Sequence, residues 1–131
     1  VRLRLTILAT DQFDVLTRFY RELTGWTATA DVPVYLELRP SEDAPGIGVY
    51  ARDAYARNLA GAPVSAGPAQ PGGARPVELY LDVDDVAAAT ARATAAGGTV
   101  LGGTEPRPWG DVVQYVLDPD GNVVALASSP S

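Results

Sequence analysis

The chain has 131 residues, a formal net charge of −6 and a sequence pI near 4.4. That length suits one domain, 47% hydrophobic residues supply a core, and the acidity argues against nucleic acid, whose phosphates need a basic surface. Cys, His and Lys are absent, which removes disulfides, thiolate nucleophiles, the commonest general base and transition-metal ligand, and lysine Schiff bases.

The elements follow in order. Leu3, Leu5, Ile7 and Ala9 alternate with Arg2, Arg4, Thr6 and Leu8, a period of two that predicts a strand with one buried face. In "DQFDVLTRFYRELTGW", Leu16, Phe19, Tyr20 and Leu23 fall at helical spacing; Asp11 or Asp14 is expected to cap the start and Gly25 to stop the helix. Short strands are predicted over 26–30, 34–38 and 47–51, separated by Pro33 and by the turn "RPSEDAPG". The stretch "RDAYARNLAG" suits a short helix, and the Gly-, Pro- and Ala-rich residues 61–76 read as a connector.

The second half repeats the first. A strand over 77–83 leads into the helical "DDVAAATARATAAGG", and strands are predicted over 99–101, 112–117 and 123–127. The order β-α-β-β-β thus occurs twice, as an internal duplication produces. The expected architecture is α+β: one domain over 1–131, with module 1 at 1–51, a connector at 52–76 and module 2 at 77–127. Each module makes a four-stranded sheet with a helix on one face, and the two pair into a curved mixed sheet with a concave ligand cup. No apolar run approaches the roughly 20 residues of a membrane span, and no secretory signal is evident, so a cytoplasmic protein is expected.

Three stretches, "FYRELTGW", "LYLDVDDVAAATARATAAGGTV" and "PWGDVVQYVLDPDGNVVAL", resemble in this order and spacing the vicinal oxygen chelate superfamily, which includes glyoxalase I, bleomycin-resistance proteins and extradiol dioxygenases. Within the last, "DPDG" is a structural turn: Pro119 presets φ, Asp118 bonds the following backbone and Gly121 accepts positive φ.

Catalytic members of that superfamily hold a divalent metal with His, Glu or Gln. Projected by strand parity, the resemblance puts Arg4, Glu78 and Ala125 at the ligand positions, with Leu5, Ile7 and Ala9 facing the helix and Arg4, Thr6 and Leu8 facing the cup. On the fifth strand Leu79, Leu81 and Val83 face the helix, and Glu78, Tyr80 and Asp82 face the cup. Arginine stays charged and binds no metal, and one carboxylate does not hold a transition metal. No metal, cofactor or catalytic residue is therefore expected. Arg4 and Glu78 either pair with one another or orient a polar ligand.

Trp109, between Pro108 and Gly110, is placed at the rim of the cup; Tyr80, Tyr50 and Tyr115 supply further aromatic surface, and Asp82 supplies charge. Trp26 is expected to pack under the helix. Such walls suit a planar ligand, and the acidity suits a cationic one. The expected function is metal-independent binding that sequesters an antibiotic or other aromatic natural product, in a homodimer. The composition fits a GC-rich bacterial genome. The alternative is a metal-independent isomerase, cyclase or lyase in which Glu78 or Asp82 is the base and Tyr80 or Arg4 stabilises charge.

Overall fold

In the computed structural model, which describes residues 1–65 and 73–130, the alternating N-terminal run forms β1 (Leu5–Thr10) and the amphipathic stretch after it forms α1 (Phe13–Thr24). Gly25 ends α1 in the left-handed region at φ 65°, and its N–H donates to the Arg21 carbonyl. The start differs from expectation. Gln12 holds the cap position and makes no side-chain cap bond, so neither Asp11 nor Asp14 caps the helix. Thr10 Oγ1 accepts from the Gln12 N–H at 3.0 Å instead, and Asp11 lies one residue too early and pairs with Arg52 at 2.6 Å.

The chain continues through β2 (Thr27–Val32), β3 (Tyr35–Arg39), β4 (Gly46–Ala51) and α2 (Arg52–Asn58). The sheet order is β1-β4-β3-β2. β1 runs parallel to β4 because the crossover passes through a helix, whereas β2, β3 and β4 meander antiparallel. Leu8, Leu36, Leu38, Ile47 and Val49 lie almost wholly inside, as do Leu16, Phe19, Tyr20 and Leu23 of α1. Sealing this sheet face under α1 is worth about 1.5–3 kcal/mol for each large side chain buried.

The same order recurs as β5 (Glu78–Asp82), α3 (Val86–Ala95), β6 (Thr99–Pro106), β7 (Val112–Leu117) and β8 (Val123–Ser128), with sheet order β5-β8-β7-β6 and β5 parallel to β8. Asp85 caps α3 by accepting from the Ala88 N–H at 3.0 Å. Val86, Ala89 and Ala93 of α3 are buried, as are Leu79, Val116, Val124 and Leu126 of the sheet. β6 outruns its expected end at residue 101. Gly102, at φ 65°, sits in a register shift between Leu101 and Glu105 that lets pairing with β7 resume.

The chain divides into two compact units, Val1–Gly67 and Pro68–Ser131, one per sheet. Both are α+β, and each carries one βαβββ module. Residues 66–72 of the connector and Ser131 of the tail lie outside the described residues. Among the described residues, no helix is long and apolar enough to cross a membrane.

The β7–β8 turn is held by Asp118, which is 3% exposed. Its Oδ1 accepts from the Asp120 and Asn122 N–H groups at 2.8 and 2.9 Å, and its Oδ2 accepts from Asn122 Nδ2 at 2.8 Å. Gly121 turns the chain at φ 89°. Asp118→Ala strands three buried donors and is expected to lower stability by about 2–4 kcal/mol in urea denaturation, whereas Asp118→Asn keeps part of the loss back.

Candidate functional site

Each sheet has a helix-covered face and an opposite, open face. In the second unit the open face follows from register. Tyr80 and Tyr115 both stand opposite Ala125, and Glu78 and Asp82 flank Tyr80 on the same side of β5. Ala125, Ala127 and Val113 form a small buried cluster there, with Tyr115 packed against it.

The loop between β6 and β7 brings a second aromatic group to this face. The Arg107 N–H donates to the Asp111 carbonyl at 2.8 Å and the Gly110 N–H to the Arg107 carbonyl at 3.0 Å, closing a tight loop with Gly110 at φ 107°. Trp109 stands at its tip, 58% exposed. Its Nε1 donates to the Tyr80 hydroxyl at 2.8 Å, and that hydroxyl donates to Asp111 Oδ2 at 2.5 Å. Ser129 Oγ donates to Asp111 Oδ1 at 3.0 Å. The bond to Asp111, first, holds the Tyr80 phenol above its ordinary pKa, because only the protonated hydroxyl can donate to that carboxylate. Both Asp111 oxygens accept from neutral hydroxyls, and among the described residues Asp111 has no ion-pair partner. Its charge is therefore held in place and not cancelled.

Tyr115 is capped by the Arg107 guanidinium, 5.0 Å above the ring. Arg107 also reaches Glu105 at 3.5 Å and the Val113 carbonyl at 3.4 Å, while its buried Nε has no partner among the described residues.

In the first unit the sequence parity of β1 is overturned. Gly48 stands opposite both Ile7 and Glu37, and a Cβ on Gly48 would lie 2.5 Å from Ile7 Cδ1 and 2.8 Å from the Tyr35 hydroxyl. Leu5, Ile7 and Ala9 thus share the open face with Tyr35, Glu37 and Tyr50. Leu8 and Thr10 point the other way and are buried. Both faces of β1 carry apolar residues, so alternation alone could not orient it. Arg4 precedes the strand, and its carbonyl accepts from the Gly46 N–H at 3.0 Å. Tyr50 lies in an aromatic row, 4.8 Å from Tyr35 and 5.5 Å from Tyr55. Trp26 is half-buried.

Sequence reasoning did not single out the polar knot on this face. Glu37 Oε2 accepts from Thr29 Oγ1 at 2.6 Å and from Arg39 Nε at 3.0 Å, and Oε1 accepts from the Tyr35 hydroxyl at 2.9 Å. The Thr29 bond, followed by those from Arg39 and Tyr35, holds the Glu37 carboxyl below its ordinary pKa against the opposing effect of burial. Burial, and then the bond to Glu37, push the Tyr35 phenol up. A Tyr-x-Glu-x-Arg alternation on β3 was the available signal.

Of the residues expected at a ligand site, Trp109 and Tyr80 are in contact, and Glu78, Asp82 and Tyr115 share their sheet face. Arg4 and Tyr50 belong to the other unit. Asp111 and Ser129 were missed, because nothing in the sequence ties residue 111 or 129 to residue 80. The metal of the catalytic relatives finds no fit. Among the described residues no three His, Cys, Asp or Glu side chains converge. On β1 the open-face residue nearest the expected ligand position is Leu5, and on β8 it is the methyl of Ala125.

Residues 2–126 match the sequence profile of the glyoxalase/bleomycin resistance protein/dioxygenase superfamily. The chain belongs to this superfamily. Solved structures agree on the fold. A glyoxalase-related enzyme from Fulvimarina pelagi is 21% identical, with a TM-score of 0.80 over 98% of this chain and 88% of that one. A family enzyme from Burkholderia phytofirmans PsJN is 22% identical, with a TM-score of 0.77 over 99% and 100%. A lactoylglutathione lyase from Agrobacterium tumefaciens is 20% identical, with a TM-score of 0.68 over 97% and 92%. A comparison with curated protein sequences gives no match. At these identities the likeness carries the fold alone.

The Glu37 knot sets a pH dependence for this superfamily member. A carboxyl whose folded pKa lies below its unfolded one contributes stability above the unfolded pKa and loses it as pH falls through the folded pKa. Denaturation midpoints of the wild type should therefore drop on acidification. Glu37→Gln should be less stable near neutrality and lose less on the same descent.

Proposed function

We propose that the protein binds a small planar, cationic molecule on the open face of its second sheet, without a metal ion, and holds it chemically unchanged. The observation that carries this reading is the chain of bonds from Trp109 through Tyr80 to Asp111. Two large aromatic side chains are left exposed yet fixed by hydrogen bonds, beside a carboxylate with no counter-charge. Ring stacking and apolar burial favour a flat ligand, and Asp111 favours a positive one. Because the groups are already oriented, little ordering cost falls on binding. Antibiotics and other aromatic natural products have this chemistry. The biological role that follows is drug resistance by sequestration, in a cytoplasmic homodimer.

The alternative is metal-independent isomerisation, cyclisation or elimination, with Glu78 or Asp82 as base. Both are exposed to solvent.

Tryptophan fluorescence titration with a panel of aromatic and cationic antibiotics tests the reading, each binder being recovered for mass analysis. The expected result is saturable binding, intact recovery, and a loss of about tenfold or more in affinity in Trp109→Ala. Asp111→Asn should erase the preference for cations and weaken the salt dependence. Recovery of a compound with altered mass or retention time overturns sequestration in favour of catalysis.

A further inference from the structure

The first unit contains a cavity of about 540 Å³ made from its own residues. That volume lies within the roughly 300–1,000 Å³ of small-molecule sites. Its lining includes Arg2, Arg4, Glu37, Arg39, Glu42 and Asp43, so it differs in kind from the aromatic face of the second unit.

Arg39 is the informative residue. Its side chain is only 8% exposed. Nε donates to Glu37, and Nη1 donates to the Ala44 carbonyl at 3.3 Å. Nη2 makes no hydrogen bond among the described residues, yet it is not among their sealed, unpartnered atoms. It therefore reaches the accessible space of the cavity that Arg39 lines. The bonds that Glu37 accepts come from Thr29, Tyr35 and Arg39 Nε, and none of them uses Arg39 Nη2. A guanidinium with an unused N–H edge in a largely buried setting suits a carboxylate.

The remaining charges define the rest of the ligand. Glu37 and Arg39 offset one another. Arg2 and Arg4, before β1, and Glu42 and Asp43, in the β3–β4 turn, are exposed and in no ion pair among the described residues. Two free cations and two free anions thus border one cavity without closing on each other. A simple anion meets the acidic turn, and a simple cation meets the arginines.

We infer that this cavity is a second binding site, for a small zwitterion carrying a carboxylate and an amine. The carboxylate takes the Arg39 Nη2 edge with Arg4, and the ammonium faces Glu42 and Asp43. Its lining residues all belong to the first unit, so the inference stands whether or not the aromatic face of the second binds a drug.

The test is calorimetric titration of the whole chain with β-alanine, 4-aminobutyrate and 6-aminohexanoate, which differ in charge separation, and with acetate and butylamine as single-charge controls. At least one zwitterion is expected to bind saturably and about tenfold more tightly than either control. Arg4→Gln, and separately Glu42→Gln with Asp43→Asn, should each weaken that binding several-fold. Arg39→Lys, its fold checked by circular dichroism, should weaken it further; the exposed variants decide the matter if Arg39→Lys unfolds. The inference is overturned if no zwitterion saturates, if acetate binds as tightly, or if the Arg4 and Glu42/Asp43 variants bind as the wild type does.

Discussion

Everything else in these two modules rests on a single constraint: a four-stranded sheet backed by one helix has one sealed face. Side chains alternate along a strand, so committing Leu36, Leu38, Ile47 and Val49 to α1 forces Tyr35, Glu37, Gly48 and Tyr50 to the other side. In the second unit, giving Leu79, Val124 and Leu126 to the core forces out Glu78, Tyr80 and Asp82, with Ala125 beside them. The open faces are what remains after the core is satisfied, and their polar and aromatic residues are free to specialise.

The two open faces have specialised differently. On the first sheet a carboxylate is surrounded by three donors, one of them an arginine, a self-contained arrangement that neutralises its own charge. On the second sheet the carboxylate of Asp111 is positioned by hydroxyls alone. A duplicated scaffold thus displays one quenched and one unquenched acid. This difference, and no difference of backbone topology, separates the chemistry of the halves.

Much of the architecture was legible because several local signals agreed. Helical spacing in α1, the Gly25 stop, the Asp118–Gly121 turn and the repeated element order all point the same way. Reading failed where one signal stood alone. β1 has apolar residues on both faces, so strand parity alone could not orient it. β6 looked finished at Gly102 because a glycine pair resembles a stop, whereas there it makes a bulge. The open-face contacts were the least legible. Tyr80 meets Trp109 and Asp111 across some thirty positions of sequence, and only tertiary folding brings them together. Even so, β5 parity and the Pro108–Gly110 setting sufficed to pick out Tyr80 and Trp109 as surface groups.

Ala125 bears on what this sheet can accept in place of a methyl group. It occupies the strand position that the resemblance to catalytic relatives assigns to an acid, it is fully buried, and its register partners on either side are Tyr80 and Tyr115. An acid placed there enters an enclosed spot beside Val113 and Ala127, and a buried carboxylate without a hydrogen-bonded partner is strongly disfavoured. A change at residue 125 is therefore conditional: an acid there requires a compensating change beside it, and Tyr115, packed against this cluster, would have to give way.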